Sequence, residues 1–181
     1  RYNYDSSTYN QRWEMHQAFQ RMKFVGGGRS LSLLDLIAGS PYMAQYWRWN
    51  GATIGRDCCL FPSGAYPYML EPCLCTIGDR SVIDAAGLTC HLNTQGNFEL
   101  VPVVCAEHTT MRIMSRIQMG GRMERGSMLL ERSLLMTGEV VEADSIWYGQ
   151  PAVPVMYLGV PNTGRHDQMS YMPNDYSNSI V

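Results

Sequence analysis

Hydrophobic residues recur at two different spacings along this chain, and the change from one to the other falls near residue 50. Up to that point the apolar residues, beginning with Trp13, follow the spacing of an amphipathic helix. Polar residues 6–8 offer N-caps, so one helix is predicted to run to about Phe24. A second helix is predicted over about 31–49, divided at Gly39–Pro41 because proline interrupts a helix.

After residue 50 the apolar residues follow a period of six instead. The longest unbroken series is Ile117, Met123, Leu129, Leu135, Val141 and Trp147. A small residue recurs in phase with the aliphatic one, at Cys58, Ser81, Gly87, Gly121, Ser127 and Ser133. Five intervals without a slip, with a small residue in phase, are more than a chance pattern would give.

This period indicates a solenoid. Three short strands joined by tight turns form one triangular coil of about eighteen residues, and successive coils stack to bury a continuous column. The aliphatic residue fills the interior, and the small residue points inward near a corner where space is limited. The prediction is a mainly β protein, a parallel β-helix of about four to five coils, preceded by a short N-terminal helical segment.

The period is interrupted twice, between Leu60 and Ile77 and between Thr89 and Met111. Solenoids accommodate insertions as loops on one face, and such loops commonly carry function. The second interruption contains His91, so it is the first place to look for chemistry.

Composition narrows the class of protein. Of the 181 residues 45% are apolar and 17% charged, which excludes a disordered chain. The net charge of −2 argues against bulk electrostatic binding to nucleic acid, and no apolar run reaches the length of a membrane span. The six cysteines include Cys58–Cys59 and a Cys73-x-Cys75 pair, spacings that match zinc sites poorly. We expect reduced, buried thiols in a cytoplasmic protein.

Residues 50–152 resemble the hexapeptide-repeat acyltransferase superfamily, and the final segment Gly149–Ala152 looks like the end of that family's last coil. More narrowly, the order Gly51–Asp57, Ile77–Asp79 and then His91 resembles the C-terminal transferase-like domain of nonribosomal-peptide-synthetase-like proteins of the epsilon-poly-lysine synthetase type. The domains expected from this are an N-terminal helical segment (1–49), the β-helix (50–152) and a C-terminal extension (153–181).

The resemblance implies several properties beyond the spacing. The helix would be left-handed, and the chain would form a homotrimer by default. The reaction would move an acyl or aminoacyl group from a thioester to an amine or hydroxyl acceptor. The donor would be the phosphopantetheine thioester of a carrier domain, the preferred expectation, or acyl-coenzyme A. The parent protein would be a multidomain synthetase, of which some relatives are membrane-associated.

Acyl transfer needs a base for the acceptor's proton and donors for the oxyanion. The resemblance places the general base at His91, which is followed by the candidate substrate-binding amides Asn93 and Gln95. Glu99 is the nearest candidate for the acidic residue that follows the histidine in bacterial members of the narrower group.

His108 is the competing base. It lies 17 residues after His91, close to one coil, so the two imidazoles could stack on neighbouring coils if the insertion does not loop out. Its neighbour Glu107 could orient either ring. For the phosphates of the donor, Arg116 and Arg122 in the late coils are the candidate ligands, with a solvated outer face as the alternative.

Two further functions stay open. A zinc site like that of the gamma-class carbonic anhydrases would use His91 and His108. The chain offers no third histidine at useful spacing, so Cys90 or Cys105 would have to be the third ligand. A β-helix can also serve as a scaffold for oligomerisation without activity, and such a protein would have no use for His91.

Overall fold

The computed structural model describes residues 2–3, 7–24, 33–63 and 68–158. Three helices occupy the N-terminal part: α1 Thr8–Phe24, α2 Leu33–Ile37 and α3 Pro41–Trp49. The break between α2 and α3 falls at Gly39–Ser40, with Pro41 at the start of α3, as the sequence predicts. None of the described helices is both long and apolar enough to cross a membrane.

The rest of the described chain is built mainly of short strands. In chain order they are β1 Tyr2–Asn3, β2 Thr53–Ile54, β3 Cys59–Leu60, β4 Tyr68–Met69, β5 Cys75–Ile77, β6 Val82–Ile83, β7 Gly87–Leu88, β8 His91–Thr94, β9 Asn97–Leu100, β10 Val103–Cys105, β11 Thr110–Met111, β12 Arg116–Ile117, β13 Arg122–Met123, β14 Met128–Leu129, β15 Leu134–Leu135, β16 Val140–Val141, β17 Ser145–Gly149 and β18 Ala152–Tyr157.

Parallel pairing between every third strand winds these segments into a β-helix with three faces. The first face is β2-β5-β10-β13-β16, the second is β3-β6-β11-β14-β17 with β18 at its edge, and the third is β4-β7-β12-β15. Within the described residues this makes four complete coils and two sides of a fifth, which agrees with the predicted number of coils.

The predicted interior column is present. Ile117, Met123, Leu129, Leu135 and Val141 are each at most 1% exposed, and Trp147 is half-buried where the column ends. The small residues lie at the corners, where several hydroxyls bond back to the turn before them. Ser115 donates to the carbonyl of Arg112 at 2.6 Å, and Ser145 donates to that of Glu142 at 2.6 Å. These bonds satisfy hydroxyls that the corners bury.

One of the expected six-residue repeats is a residue short. The sequence places Thr89 inside after Ile83, but the interior residue is Leu88, which is 1% exposed. Leu88 follows Ile83 by five positions, so the chain turns this corner with one residue fewer, and Ala85 takes a left-handed φ of 42° there. Gly87 pairs with Arg116 and faces outward as Arg116 does. It is therefore not an interior corner residue.

The second interruption is an ordered hairpin and not an irregular loop. Strands β8 and β9 pair in antiparallel fashion, and β1 pairs with the outer edge of β9. The connecting residues Gln95 and Gly96 have φ values of 48° and 71°, as a two-residue hairpin turn requires. The hairpin leaves the β-helix at the corner between the third and first faces.

The cysteines are all unpaired thiols, as expected, but only three are buried. Cys75, Cys90 and Cys105 lie in the interior, while Cys58 and Cys59 are half-buried and Cys73 is exposed. Burial raises the pKa of the Cys105 thiol to about 12. The pKa of Cys75 is also raised, first by its hydrogen bond with Cys90, 3.6 Å between sulfurs, and then by burial.

Candidate active site

His91 begins the hairpin directly after the second coil. The interior position before it is held by Cys90, whose side chain is buried and whose carbonyl accepts from Val101 N–H at 2.9 Å to close the hairpin. Alternation along the strand then turns the imidazole of His91 to the outer side. The side chain of His91 is 18% exposed, so solvent and small molecules can reach it.

A buried carboxylate holds one nitrogen of this imidazole. Nδ1 of His91 lies 2.8 Å from Oε1 of Glu71, whose side chain is 3% exposed. Glu71 begins the short 3₁₀ turn Pro72–Leu74 that leads into β5, so it occupies the same corner as His91, one coil earlier. The backbone N–H of Cys90 donates to the other oxygen, Oε2, at 3.2 Å. The chain thereby fixes the carboxylate from two sides.

Aromatic rings surround the pair. Trp13 of α1 donates its indole N–H to Oε1 of Glu71 at 2.8 Å, and its ring centroid lies 4.7 Å from that of His91. Phe98 of β9 is fully buried and packs on Trp13 at 5.0 Å and on His91 at 6.4 Å. The imidazole therefore has an apolar wall on two sides and a carboxylate on a third.

This arrangement fixes the tautomer of His91. A carboxylate accepts hydrogen bonds, so Nδ1 carries the proton and Nε2 of the neutral ring presents a lone pair. Nε2 has no hydrogen-bond partner among the residues that the structure describes. A histidine oriented by a carboxylate, with its second nitrogen available, is the arrangement that general bases use in acyl transfer.

The other candidate residues near His91 lie on different faces of the hairpin. Asn93 is exposed on the same face as His91, since residues two apart on a strand share a face. Gln95 is exposed in the turn at the tip. Glu99 pairs with Leu92 and therefore lies on the opposite face, so it does not supply the carboxylate to His91. That place is taken by Glu71.

His108 does not stack on His91. It is exposed in the turn between β10 and β11, at the corner between the first and second faces, whereas His91 lies at the corner between the third and first. Its neighbour Glu107 pairs with Arg125 at 3.2 Å and orients neither imidazole. The two rings could stack only if the insertion did not loop out, and the hairpin β8–β9 takes these residues out of the coil.

The two candidate phosphate ligands are also on different faces. Arg122 lies on β13 of the first face and pairs with Glu124 at 3.1 Å. Arg116 lies on β12 of the third face, where it lines an outer groove of about 750 Å³. The groove, which we call the third-face groove, is lined by Gly87, Arg116, Gln118, Arg132, Leu134 and Gln150 among others.

One end of the third-face groove lies near the start of the hairpin. Leu88 pairs with Ile117, so Thr89 lies level with Gln118, the last groove residue on that strand. His91 follows two residues later, beyond the corner where the chain leaves the third face, and it does not line the groove.

No set of three His, Cys, Asp or Glu side chains suited to holding a metal ion occurs in the part of the chain that the structure describes.

Comparison with known proteins identifies the fold. No family model and no curated protein sequence matches the chain. Solved structures do match. A hexapeptide-repeat acetyltransferase from Vibrio cholerae has a TM-score of 0.59 at 12% identity, over 86% of this chain and 96% of that one. A maltose O-acetyltransferase from Clostridium difficile 630 gives 0.56 at 9% identity, over 88% and 92%.

A galactoside acetyltransferase, solved in complex with coenzyme A, matches with a TM-score of 0.55 at 11% identity, over 85% of this chain and 84% of that one. The Vibrio protein has also been solved with acetyl coenzyme A. At these identities the likeness concerns the fold: the chain has the β-helix of the hexapeptide-repeat acetyltransferases.

Proposed function

We propose that this protein is an acyltransferase that moves an acyl group from a thioester to an amine or hydroxyl acceptor, with His91 as the general base. The observation that carries the proposal is the Nδ1 contact of His91 with the buried carboxylate of Glu71 at 2.8 Å. Two further observations support it: Gln118, at one end of the third-face groove, lies level with Thr89, two residues before His91, and the fold is shared with acetyltransferases.

In the proposed step Nε2 of His91 first accepts a proton and then returns it. The acceptor nitrogen or oxygen attacks the thioester carbonyl carbon while its proton passes to Nε2. The tetrahedral intermediate collapses, the carbon–sulfur bond breaks, and the imidazolium returns the proton to the leaving sulfur. The products are an acylated acceptor and a free thiol. The carboxylate of Glu71 stabilises the imidazolium that forms between these two proton transfers.

Asn93 and Gln95 are proposed to contact the substrate. Asn93 shares the hairpin face of His91, so its amide N–H₂ is a candidate donor to the developing oxyanion. Gln95, exposed at the tip of the hairpin, is a candidate contact for the part of the acceptor that lies away from the reacting atoms.

Coenzyme A is the donor we propose, because structures that share the fold were solved with acetyl coenzyme A and with coenzyme A. Guanidinium groups bind phosphate strongly, and the third-face groove offers Arg116 and Arg132. Arg122 lies on another face and is not part of this groove. The carrier-domain thioester, and with it a place at the end of a multidomain synthetase, stays a prediction that the same assay tests.

We also propose the other properties that the resemblance implies. These are the left hand of the helix, the homotrimer and the division into three domains. Strand β18, Ala152–Tyr157, runs across the predicted boundary at 152 and pairs with β17. Residues 159–181 of the predicted extension lie outside the described residues. Light scattering coupled to size exclusion measures the oligomeric state.

The test is single-turnover acyl transfer by the purified chain. The donors are acetyl coenzyme A and an acetylated carrier protein, offered with a panel of amines and alcohols. His91→Gln should lose transfer by about 100-fold or more, the size of a general-base contribution. The matched control is His108→Asn, an exposed histidine at another corner, which should retain the wild-type rate.

Each other outcome has a definite meaning. Loss in His108→Asn with an unchanged rate in His91→Gln would move the base to His108 and refute the assignment. Transfer from the acetylated carrier alone would replace coenzyme A as donor. Absence of transfer from either donor to every acceptor, in a folded wild-type protein, would favour the oligomerisation scaffold.

A further inference from the structure

The N-terminal helix α1 delivers a side chain into the site. Trp13 lies 58 positions before Glu71 in the sequence, yet its indole N–H donates to Oε1 of that residue at 2.8 Å. The same ring lies 4.7 Å from the imidazole of His91, at an angle of 57°. The sequence pattern assigns Trp13 only to the apolar stripe of a helix, a packing role.

The hydrogen bond from Trp13 has a specific physical consequence. A carboxylate with 3% exposure needs donors, because burying an uncompensated charge is costly. The indole N–H can only donate, so it cannot exchange roles with its partner. Trp13 and His91 both donate to Oε1, while the Cys90 N–H holds Oε2. The indole therefore helps to set the position of the atom that orients His91.

The position of Trp13 is itself supported by the hairpin. Its ring packs on Phe98 at 5.0 Å, and Tyr9, one helical turn earlier in α1, packs on Phe98 at 6.2 Å. Strand β1, before α1, pairs with β9 opposite Asn97 and Phe98. The N-terminal segment is thus held against the same hairpin that carries His91.

We propose that Trp13 is a positioning residue of the active site, whose indole N–H fixes the Glu71 carboxylate and whose ring fixes the plane of the His91 imidazole. This inference rests on the proposed acyl-transfer function. It makes α1 a component of the site and not only an element that packs on the β-helix.

The kinetic test uses Trp13→Phe, which keeps an apolar ring and removes the donor. We expect kcat to fall about 10- to 100-fold, the equivalent of one hydrogen bond to a charged group, with KM changed less than about threefold. In a Glu71→Gln background the same change should lower kcat much less, because the charged acceptor of the indole N–H is no longer present. The matched control is Trp49→Phe on α3, where the tryptophan is 79% exposed.

A second measurement needs no substrate. The indole N–H of a tryptophan gives its own signal in a two-dimensional ¹H–¹⁵N NMR spectrum, and the position of that signal depends on the group that accepts the hydrogen bond. The Trp13 signal, identified by its absence from Trp13→Phe, should move in Glu71→Gln, which alters the acceptor, and in His91→Gln, which removes the ring 4.7 Å away. It should stay in place in Trp49→Phe.

The two measurements separate the possible failures. A wild-type kcat in folded Trp13→Phe, or an equal loss in the Glu71→Gln background, would overturn the positioning role. A Trp13 signal that does not move in Glu71→Gln would show that the indole does not donate to that carboxylate in solution. Full transfer activity in His91→Gln would refute the proposed function instead, and the NMR result would still report the contact.

Discussion

Replacing Glu71 by glutamine tests the centre of the proposed site with little change in volume. The carboxylate accepts from His91 and Trp13 at Oε1 and from the Cys90 N–H at Oε2. An amide has one acceptor oxygen and one N–H₂ group. If its oxygen keeps the first two donors, its N–H₂ faces the Cys90 N–H and that buried donor loses its partner. We expect a stability loss of about 1–3 kcal/mol.

The effect of Glu71→Gln on the rate should be larger than its effect on stability. During acyl transfer His91 becomes positively charged, and hydrogen bonds to an ionised acceptor are roughly twice as strong as those to a neutral one. The amide can also turn its N–H₂ toward Nδ1, which favours the tautomer with a proton on Nε2. We expect kcat to fall at least about 100-fold, equivalent to about 2.7 kcal/mol.

The assay compares single-turnover transfer and urea unfolding for the wild type, Glu71→Gln and the control Asp79→Asn. Asp79 is a carboxylate at another corner, where it pairs with Arg56 at 3.0 Å, so its replacement should leave kcat unchanged. A kcat within about threefold of wild type in folded Glu71→Gln would refute the reasoning, since a base that needs its carboxylate loses more than that.

Three further predictions concern the fold. Gly121→Ala places a methyl carbon 2.5 Å from an interior side-chain carbon, whereas Gly138→Ala meets nothing within 4 Å but has a φ of +73°. Urea unfolding should show a loss of about 1–2 kcal/mol for Gly138→Ala and at least about 1 kcal/mol more for Gly121→Ala. Hydrogen bonds from Arg56, first its backbone N–H and then its guanidinium, lower the pKa of Asp79, so this carboxylate stabilises the fold above the usual aspartate pKa. The melting temperature of Asp79→Asn should therefore lie below that of the wild type at pH 7, and the gap between the two should shrink below about pH 4. Iodoacetamide at pH 8 should label the exposed Cys73 in the folded protein, and Cys105, whose pKa burial raises to about 12, only after unfolding.

Each of these has a contrary result. Equal stability losses for the two alanine variants would mean that the corner at Gly121 is not crowded. A stability difference for Asp79→Asn that grows on acidification would reverse the sign argued from its pKa. Labelling of Cys105 at the rate of Cys73 would show that the interior column opens readily.

The β-helix could be predicted from the sequence because its interior repeats. A prism with three faces demands an inward residue at a fixed spacing, and the series from Ile117 to Val141 satisfies it without a slip. The error at Thr89 has a local cause. Thr89 keeps the period of six, but the corner after Ile83 is one residue shorter than those of the later coils and brings Leu88 inside.

The site was only partly predictable. His91 could be found because it follows the point where the period fails. Glu71 could not, because it reaches His91 only when two successive coils stack at one corner, 20 residues apart in sequence. The signal that was available is a carboxylate next to Pro72 at the first interruption of the repeat. The contribution of Trp13 is still less local, since an aromatic residue on a helix is typical of a core.

The two ends of the β-helix bear on whether the molecules polymerise. Parallel coils could in principle continue from one molecule to the next, as strands do in a fibril. At the N-terminal end α3 lies against the first coil and buries Trp47 completely. At the other end β18 reverses direction against β17, and Pro154 within it has no N–H to offer a further strand. Each end of the stack is thus closed by an element that is not a further parallel coil: α3 at the first coil, and β18 on the second face of the last one.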